Sequence, residues 1–353
     1  MYSSTVNRLA LSLFLLLINL VVCEAQSSGS ISLNFRKLAL PPNDADSNYI
    51  MRYARQNDIR LLYGGEGMSL GFGSTHEGNR ISTSIYNNVN DLIGAGITYK
   101  IIDADISFSL PKTRLLEEDR ENLTQFRLAM SYTGRAWAFR GYVAKSTGVI
   151  SSDEAGETES QPDVEMIKVA GQITYNFNER KYSYRAANFQ NELQKKTAGS
   201  FLVRLEPFYR YLEAPTGMVP DGRDLITTYG NQAGLQYVSS PGLLLMPGYG
   251  LNVAILKGKF FISPIVMIGP GLAFNTYRSD AGKSTVLNYE WGALAAINLG
   301  YNGAKMYGTV RAMYDVYYTS LNPAYVTTTN LKISLTVGYR FSDLEKFIPT
   351  SFF

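Results

Sequence analysis

Tyr325 to Phe341, YVTTTNLKISLTVGYRF, decides how the rest of this sequence is read. From Leu331 onward the odd positions Leu331, Ile333, Leu335, Val337, Tyr339 and Phe341 are apolar or aromatic. Lys332, Ser334, Thr336, Gly338 and Arg340 between them are polar or small. A period of two makes a strand with two unlike faces. The apolar face carries no charge over about ten residues and ends in aromatics, as a tilted strand crossing a bilayer requires. On this reading Tyr339 and Phe341 anchor the strand at one interface, while Lys332 and Arg340 face a lumen.

The N-terminus fits the same destination. Residues 1–25 combine a basic start at Arg8, an apolar core from Leu9 to Val22 and a small ending at Ala25, which is the pattern of a cleavable export signal. The apolar run is too short to span comfortably as a helix. Val22 before Cys23 argues against a lipid anchor. Cleavage removes the sole cysteine and leaves His76 as the sole histidine, so disulfides, thiolate metal sites and cysteine nucleophiles are excluded. With 25 Tyr, 17 Phe and 31 Gly against 18% charged residues, the composition is that of an aromatic, glycine-punctuated β protein. A net charge of +3 gives no case for nucleic acid.

Period-two runs and turn residues predict about twelve strands, near 59–73, 80–100, 103–110, 122–133, 136–150, 163–178, 199–213, 229–257, 259–276, 285–300, 304–319 and 325–341. Short turns at 101–102, 134–135, 257–258 and 302–303 alternate with long polar loops at 111–121, 151–162, 214–228, 277–284 and 320–324. Outer-membrane barrels have short periplasmic turns and longer outer loops. The predicted fold is therefore an all-β, antiparallel transmembrane barrel, running over 59–341 with a tail at 342–353. Residues 26–58 form a periplasmic or plug segment, in which Asp44 or Asp46 caps a short helix through Tyr49 to Arg55. The connection 179–198 is long although it falls on the periplasmic side, and its lack of Gly and Pro before Gly199 suits a helix.

Face assignments agree between strands. Tyr289, Trp291, Ala293, Ala295, Ile297, Leu299 and Tyr301 make one uncharged face with aromatics at both ends, as do shorter sets at Leu128, Met130, Tyr132 and at Ile173, Tyr175, Phe177. The opposite register predicts a lumen lined by Lys100, Arg127, Arg140, Lys168, Arg204, Arg210, Glu206, Glu290, Lys305, Arg311, Asp315, Lys332 and Arg340. Asp103 and Asp105 share that register, and Arg60 is placed near the rim. Opposed charges across a narrow barrel pair and seal it. The surplus of basic residues instead favours anions in a water-filled path. The two outcomes stay open at this level. A soluble sandwich shares the periodicity, but the export signal, aromatic ends and alternating loops favour the membrane.

Several short stretches support a resemblance. They are Tyr99-Lys100 with Pro111, Pro162-Asp163, Tyr175-Asn-Phe-Asn178, Tyr182-Ser-Tyr-Arg-Ala-Ala187, Gln194 to Phe201, Pro247-Gly-Tyr249 and Gly338-Tyr-Arg-Phe341. In these the chain resembles an uncharacterised family of outer-membrane barrels of Bacteroidota, catalogued as a domain of unknown function. Relatives tend to have a Pro-Asn pair where this chain has Asn87-Asn88-Val89-Asn90. The resemblance implies a barrel and brings no catalytic residues.

Chemistry elsewhere is thin. His76, between Thr75 and Glu77, is the one candidate base, and adjacent loop residues rarely satisfy a Ser-His-acid geometry. Gly64-Gly65-Glu66-Gly67 is followed by no Lys-Ser/Thr, so a phosphate loop is not supported. Asp153, Glu154, Glu157, Glu159 and Asp163 lack the fixed spacing of a calcium loop. The expectation is a non-enzymatic barrel of the outer membrane without cofactor or metal. Its partners are outer-membrane lipid and either small polar or anionic solutes in the lumen or periplasmic and surface proteins at its loops and the 179–198 segment.

Overall fold

The computed structural model of the chain describes residues 45–76, 79–87, 91–110, 124–152, 158–215, 235–279, 282–320 and 325–342. The expected export signal, Asp44, the side chain of His76, Glu77, the acidic stretch 153–157 and the tail from 343 lie outside what is described. No helix among the described residues is long and apolar enough to cross a membrane.

A short strand, β1 (Ile50–Arg52), precedes β2 (Asn57–His76), β3 (Asn79–Tyr86), β4 (Asp91–Tyr99), β5 (Ile102–Ser109), β6 (Thr124–Thr133), β7 (Trp137–Ser152) and β8 (Thr158–Asn176). A helical turn, α1 (Tyr184–Asn188), and β9 (Glu192–Gln194) follow. The chain then continues through β10 (Ala198–Glu213), β11 (Tyr237–Ile255), β12 (Phe260–Ser279), β13 (Gly282–Asn302), β14 (Met306–Ser320) and β15 (Tyr325–Phe341). Neighbouring strands pair antiparallel from β4 to β15, with β8 meeting β10 across the α1–β9 segment. β15 pairs with β2 over the length of both, from Tyr325 opposite Gly73 to Phe341 opposite Asn57, and closes a twelve-stranded barrel. Closure removes the open edges that a bilayer does not tolerate.

One stave is split. The lower half of β2 pairs with β4 and its upper half with β3, while β3 also reaches β7 at Ser84–Tyr86. The joint is pinned by Asn87, whose side chain accepts from Met68 N at 2.5 Å and donates to Glu66 O at 3.1 Å. β4, β5 and β6 are thus bypassed above Ser109, and the barrel narrows toward the long-loop end. Gly148, at φ +80, sits in a bulge of β7 where its register against β8 shifts, adding the local bend that brings β7 to β3.

The outward face is apolar. Tyr289 is 80% exposed, Phe201 71% and Leu61 69%, and the odd residues Leu331 to Tyr339 of β15 are all exposed. Polar lumen residues alternate with them, so the apolar band faces lipid. Aromatic pairs mark its lower margin, with Trp137 on Tyr175 at 4.8 Å, Phe201 on Tyr249 at 5.3 Å and Phe260 on Tyr301 at 5.4 Å. Phe341 departs from the alternation: it is 7% exposed and is not an interface anchor.

Gly338 faces the lumen directly opposite Tyr307, and a Cβ added there would overlap the tyrosine ring. The ring covers the glycine as a cross-strand partner. Gly338→Val is expected to displace Tyr307 and cost about 1–3 kcal/mol, read as a lowered urea midpoint for loss of heat-modifiable gel migration. An unchanged midpoint refutes the packing argument.

Candidate functional site

Three levels fill the lumen. At the short-turn end the chain folds into its own barrel. The helix expected near Tyr49 is replaced by a turn in which Asn48 N donates to Asp46 Oδ1 at 2.9 Å, because Ile50–Arg52 pair instead with β9. The helix in 179–198 is limited to five residues for a related reason: Gln190 takes φ +56 and breaks it, and Glu192–Gln194 form the strand partner. Ser183 caps α1, accepting from Ala186 N at 3.0 Å and donating to Glu192 Oε2 at 2.6 Å.

Barrel residues grip this plug. Asn298 donates to Ala187 O at 2.9 Å, Asn302 to Glu192 O at 2.9 Å and Arg340 to Gln190 O at 2.5 Å. Arg340 lies between the rings of Tyr53 and Tyr307, at 4.1 and 4.6 Å. Glu192 is 1% exposed and meets Arg52, Arg135 and Arg185 at 3.4, 3.6 and 3.7 Å. Tyr53 donates to Asn302 O at 2.6 Å, and burial pushes its phenol up to about 12. The stability from this neutral phenol is therefore full below the ordinary tyrosine value near 10 and is lost as pH rises through about 12.

Above the plug lies a cavity of about 110 Å³ with Tyr184, Phe189 and Gln190 in its floor. Its walls include Arg60, Arg127, Arg140, Arg204, Arg311 and Lys332, against Asp103, Asp105 and Asp315. Arg60 is fully engaged, with Asp58 at 3.1 Å, Asp105 at 2.6 Å, Thr98 at 2.8 Å and a close pair to Asp103. Arg127 holds both Glu66 oxygens at 2.6 and 2.8 Å, and Lys332 stands 3.8 Å from the same carboxylate. Arg204 donates to Thr174 at 3.3 Å and lies 4.0 Å from Glu206. Arg140 and Arg311 make no ion pair or hydrogen bond among the described residues.

A septum closes the cavity toward the long-loop end. Tyr317 donates to Glu206 at 3.1 Å, Gln172 donates to the same carboxylate at 2.9 Å, and Arg210 pairs with Glu290 at 2.6 Å. Lys168 and Asp315 belong to this level, and both are 4% exposed. Beyond it the inward side chains turn apolar around a second void of about 80 Å³.

Eleven of the thirteen expected lumen residues thus point inward. Lys100 and Lys305 do not. Lys100 is an exposed turn residue at φ +57 whose ammonium lies over the Tyr99 ring, and Lys305 is exposed in the bend before β14. Strand parity stops at the turns, where a side chain is free to swing outward. Glu66, Tyr142, Glu192, Tyr307 and Tyr317 were not assigned to the lumen by sequence. Glu66 was recoverable, because it shares the even register of Arg60 on β2.

The family whose model matches residues 44–341 is described as Domain of unknown function (DUF4421). No curated protein matches the chain. Among solved structures, the outer membrane protease OmpT from Escherichia coli is similar at 10% identity and a TM-score of 0.39, over 81% of this chain and 96% of that one. The β-domain of the Bordetella autotransporter BrkA is similar at 10% identity and a TM-score of 0.34, over 80% and 100%. The P. putida toluene transporter TodX follows at 9% identity and a TM-score of 0.28, over 82% and 91%. None of them lends an activity to this chain.

Proposed function

We propose, from the premise that this chain belongs to the DUF4421 family of unknown function, that its barrel binds a small anionic solute inside an occluded lumen. The observation carrying this reading is the pair Arg140 and Arg311, which face the cavity with no carboxylate at ion-pair distance among the described residues. A buried cation with no carboxylate at ion-pair distance favours an anion beside it, because its lost hydration is otherwise only partly compensated. The plug argues for binding rather than free passage. In this reading the export signal directs the chain to the outer membrane, the short-turn end is periplasmic, and no catalytic step, cofactor or metal takes part. Calorimetric titration of the folded barrel with sodium sulfate is expected to give saturable binding. The double variant R140Q/R311Q is expected to weaken it about tenfold or more. Equal binding by both proteins, or steady conductance of the intact barrel in planar bilayers, overturns the proposal.

A second reading, docking of an acidic periplasmic protein, has its own support. Lys100, Lys195, Lys196, Lys257, Lys259 and Lys305 are all exposed at the short-turn end. Such a basic face steers acidic partners and does so less as salt rises.

A further inference from the structure

We propose that the long-loop half of the lumen is a separate binding site for a short-chain alkyl carboxylate, its tail in the apolar void and its head at Lys168 and Arg210. Inward positions of a water-filled barrel are ordinarily polar. Here Met68, Leu70, Met166, Leu212, Val238 and Val326 line the void instead. They pack around fully buried Ile85, Val149 and Val164, yet leave about 80 Å³ open. At roughly 10–15 Å³ per water, that space suits a tail of about six carbons.

The same void reaches Lys168 and Arg210. Lys168 has no carboxylate within ion-pair distance among the described residues; its ammonium lies 4.7 Å from the Tyr317 ring and 3.4 Å from the Tyr317 hydroxyl. Arg210, which holds Glu290 at 2.6 Å through one terminal nitrogen, is stacked between Phe208 and Tyr317 at 4.0 and 4.2 Å, and its Nε is buried with no hydrogen-bond partner. A neutral hydrocarbon filling the void would leave Lys168 further desolvated and unpaired. A small polar anion would gain nothing from the apolar walls. A carboxylate on an alkyl tail satisfies both. The septum of Tyr317, Glu206 and Gln172 separates this void from the arginine cavity, so the two sites stand or fall apart.

The test uses the full barrel in phosphatidylcholine nanodiscs with its methionines labelled at the ¹³C methyl. Octanoate is expected to shift the Met68 and Met166 methyls saturably while leaving Met313, which lines the arginine cavity, in place. At about fourfold per buried methylene, butanoate is expected to bind roughly a hundredfold more weakly. Octanol, which lacks the charge, is expected to bind about tenfold more weakly than octanoate. Lys168→Met is expected to abolish the preference for octanoate over octanol while octanol still binds. Unmoved Met68 and Met166 signals, equal affinity for octanoate and octanol, or an unchanged preference in the variant each overturn the proposal. The chain-length series on the unaltered protein decides the matter even if the variant fails to fold.

Discussion

Arg60→Met is expected to destabilise the barrel by about 3–5 kcal/mol, the cost of leaving buried carboxylates without their counter-charge. Arg60 is 8% exposed and reaches three aspartates on two strands, Asp58 on β2 and Asp103 and Asp105 on β5, with Thr98 of β4 completing the set. Gly96 leaves room for the guanidinium, since a Cβ there would strike Arg60 and Asp105. Two further bonds tie the group together: Tyr307 donates to Asp58 at 2.9 Å and Thr98 to Asp103 at 2.7 Å. A second variant separates lost attraction from lost packing. Adding Asp103→Asn and Asp105→Asn to Arg60→Met removes most of the orphaned charge and is expected to restore much of the stability. Urea unfolding followed by heat-modifiable gel migration gives both numbers. An Arg60→Met midpoint within error of the parent rules the argument out, as does failure of the triple variant to recover any of the loss.

The sequence specified the faces of the barrel far better than its depth. Period two in β15 and β13 assigns lipid and lumen sides because every side chain is forced to one of two directions. Nothing in that period says how far along the barrel a residue lies. Arg60 therefore reads as a rim residue although it is the most heavily ion-paired cation inside among the described residues, while Lys100 and Lys305, one step beyond their strands, read as lumen residues although they are exposed. The split stave was hidden for a different reason. Residues 80–100 keep most of their apolar residues at odd positions through β3 and β4, and the change of partner at Asn87 depends on where β5 and β6 stop. The plug was legible as an oddity, a long connection at the wrong end. Its path into the lumen rests on bonds from Asn298, Asn302 and Arg340, residues more than a hundred positions away.

Replacing Tyr182–Gln194 with a short Gly-Ser turn is expected to open the arginine cavity from the short-turn end by roughly a hundredfold, the factor for about 2.7 kcal/mol of opening free energy. A cysteine in place of Ser334 makes this measurable. Ser334 lines the cavity, and the sequence has a single native cysteine, Cys23, within the expected export signal. In the intact barrel a reagent must wait for the plug to release Asn298, Asn302 and Arg340 together. In the replaced barrel those bonds are gone, and the thiol is expected to react on mixing. Charge gives a second readout. With Arg140, Arg311 and Lys332 on the walls, an anionic methanethiosulfonate is expected to react about tenfold faster than a cationic one of similar size, with the gap closing at high salt. Equal rates with and without the plug would mean that the cavity is reached from the long-loop end through the septum. Equal rates for the two reagents would mean that the acidic residues already neutralise the cavity, which would remove the basis for an anion inside it.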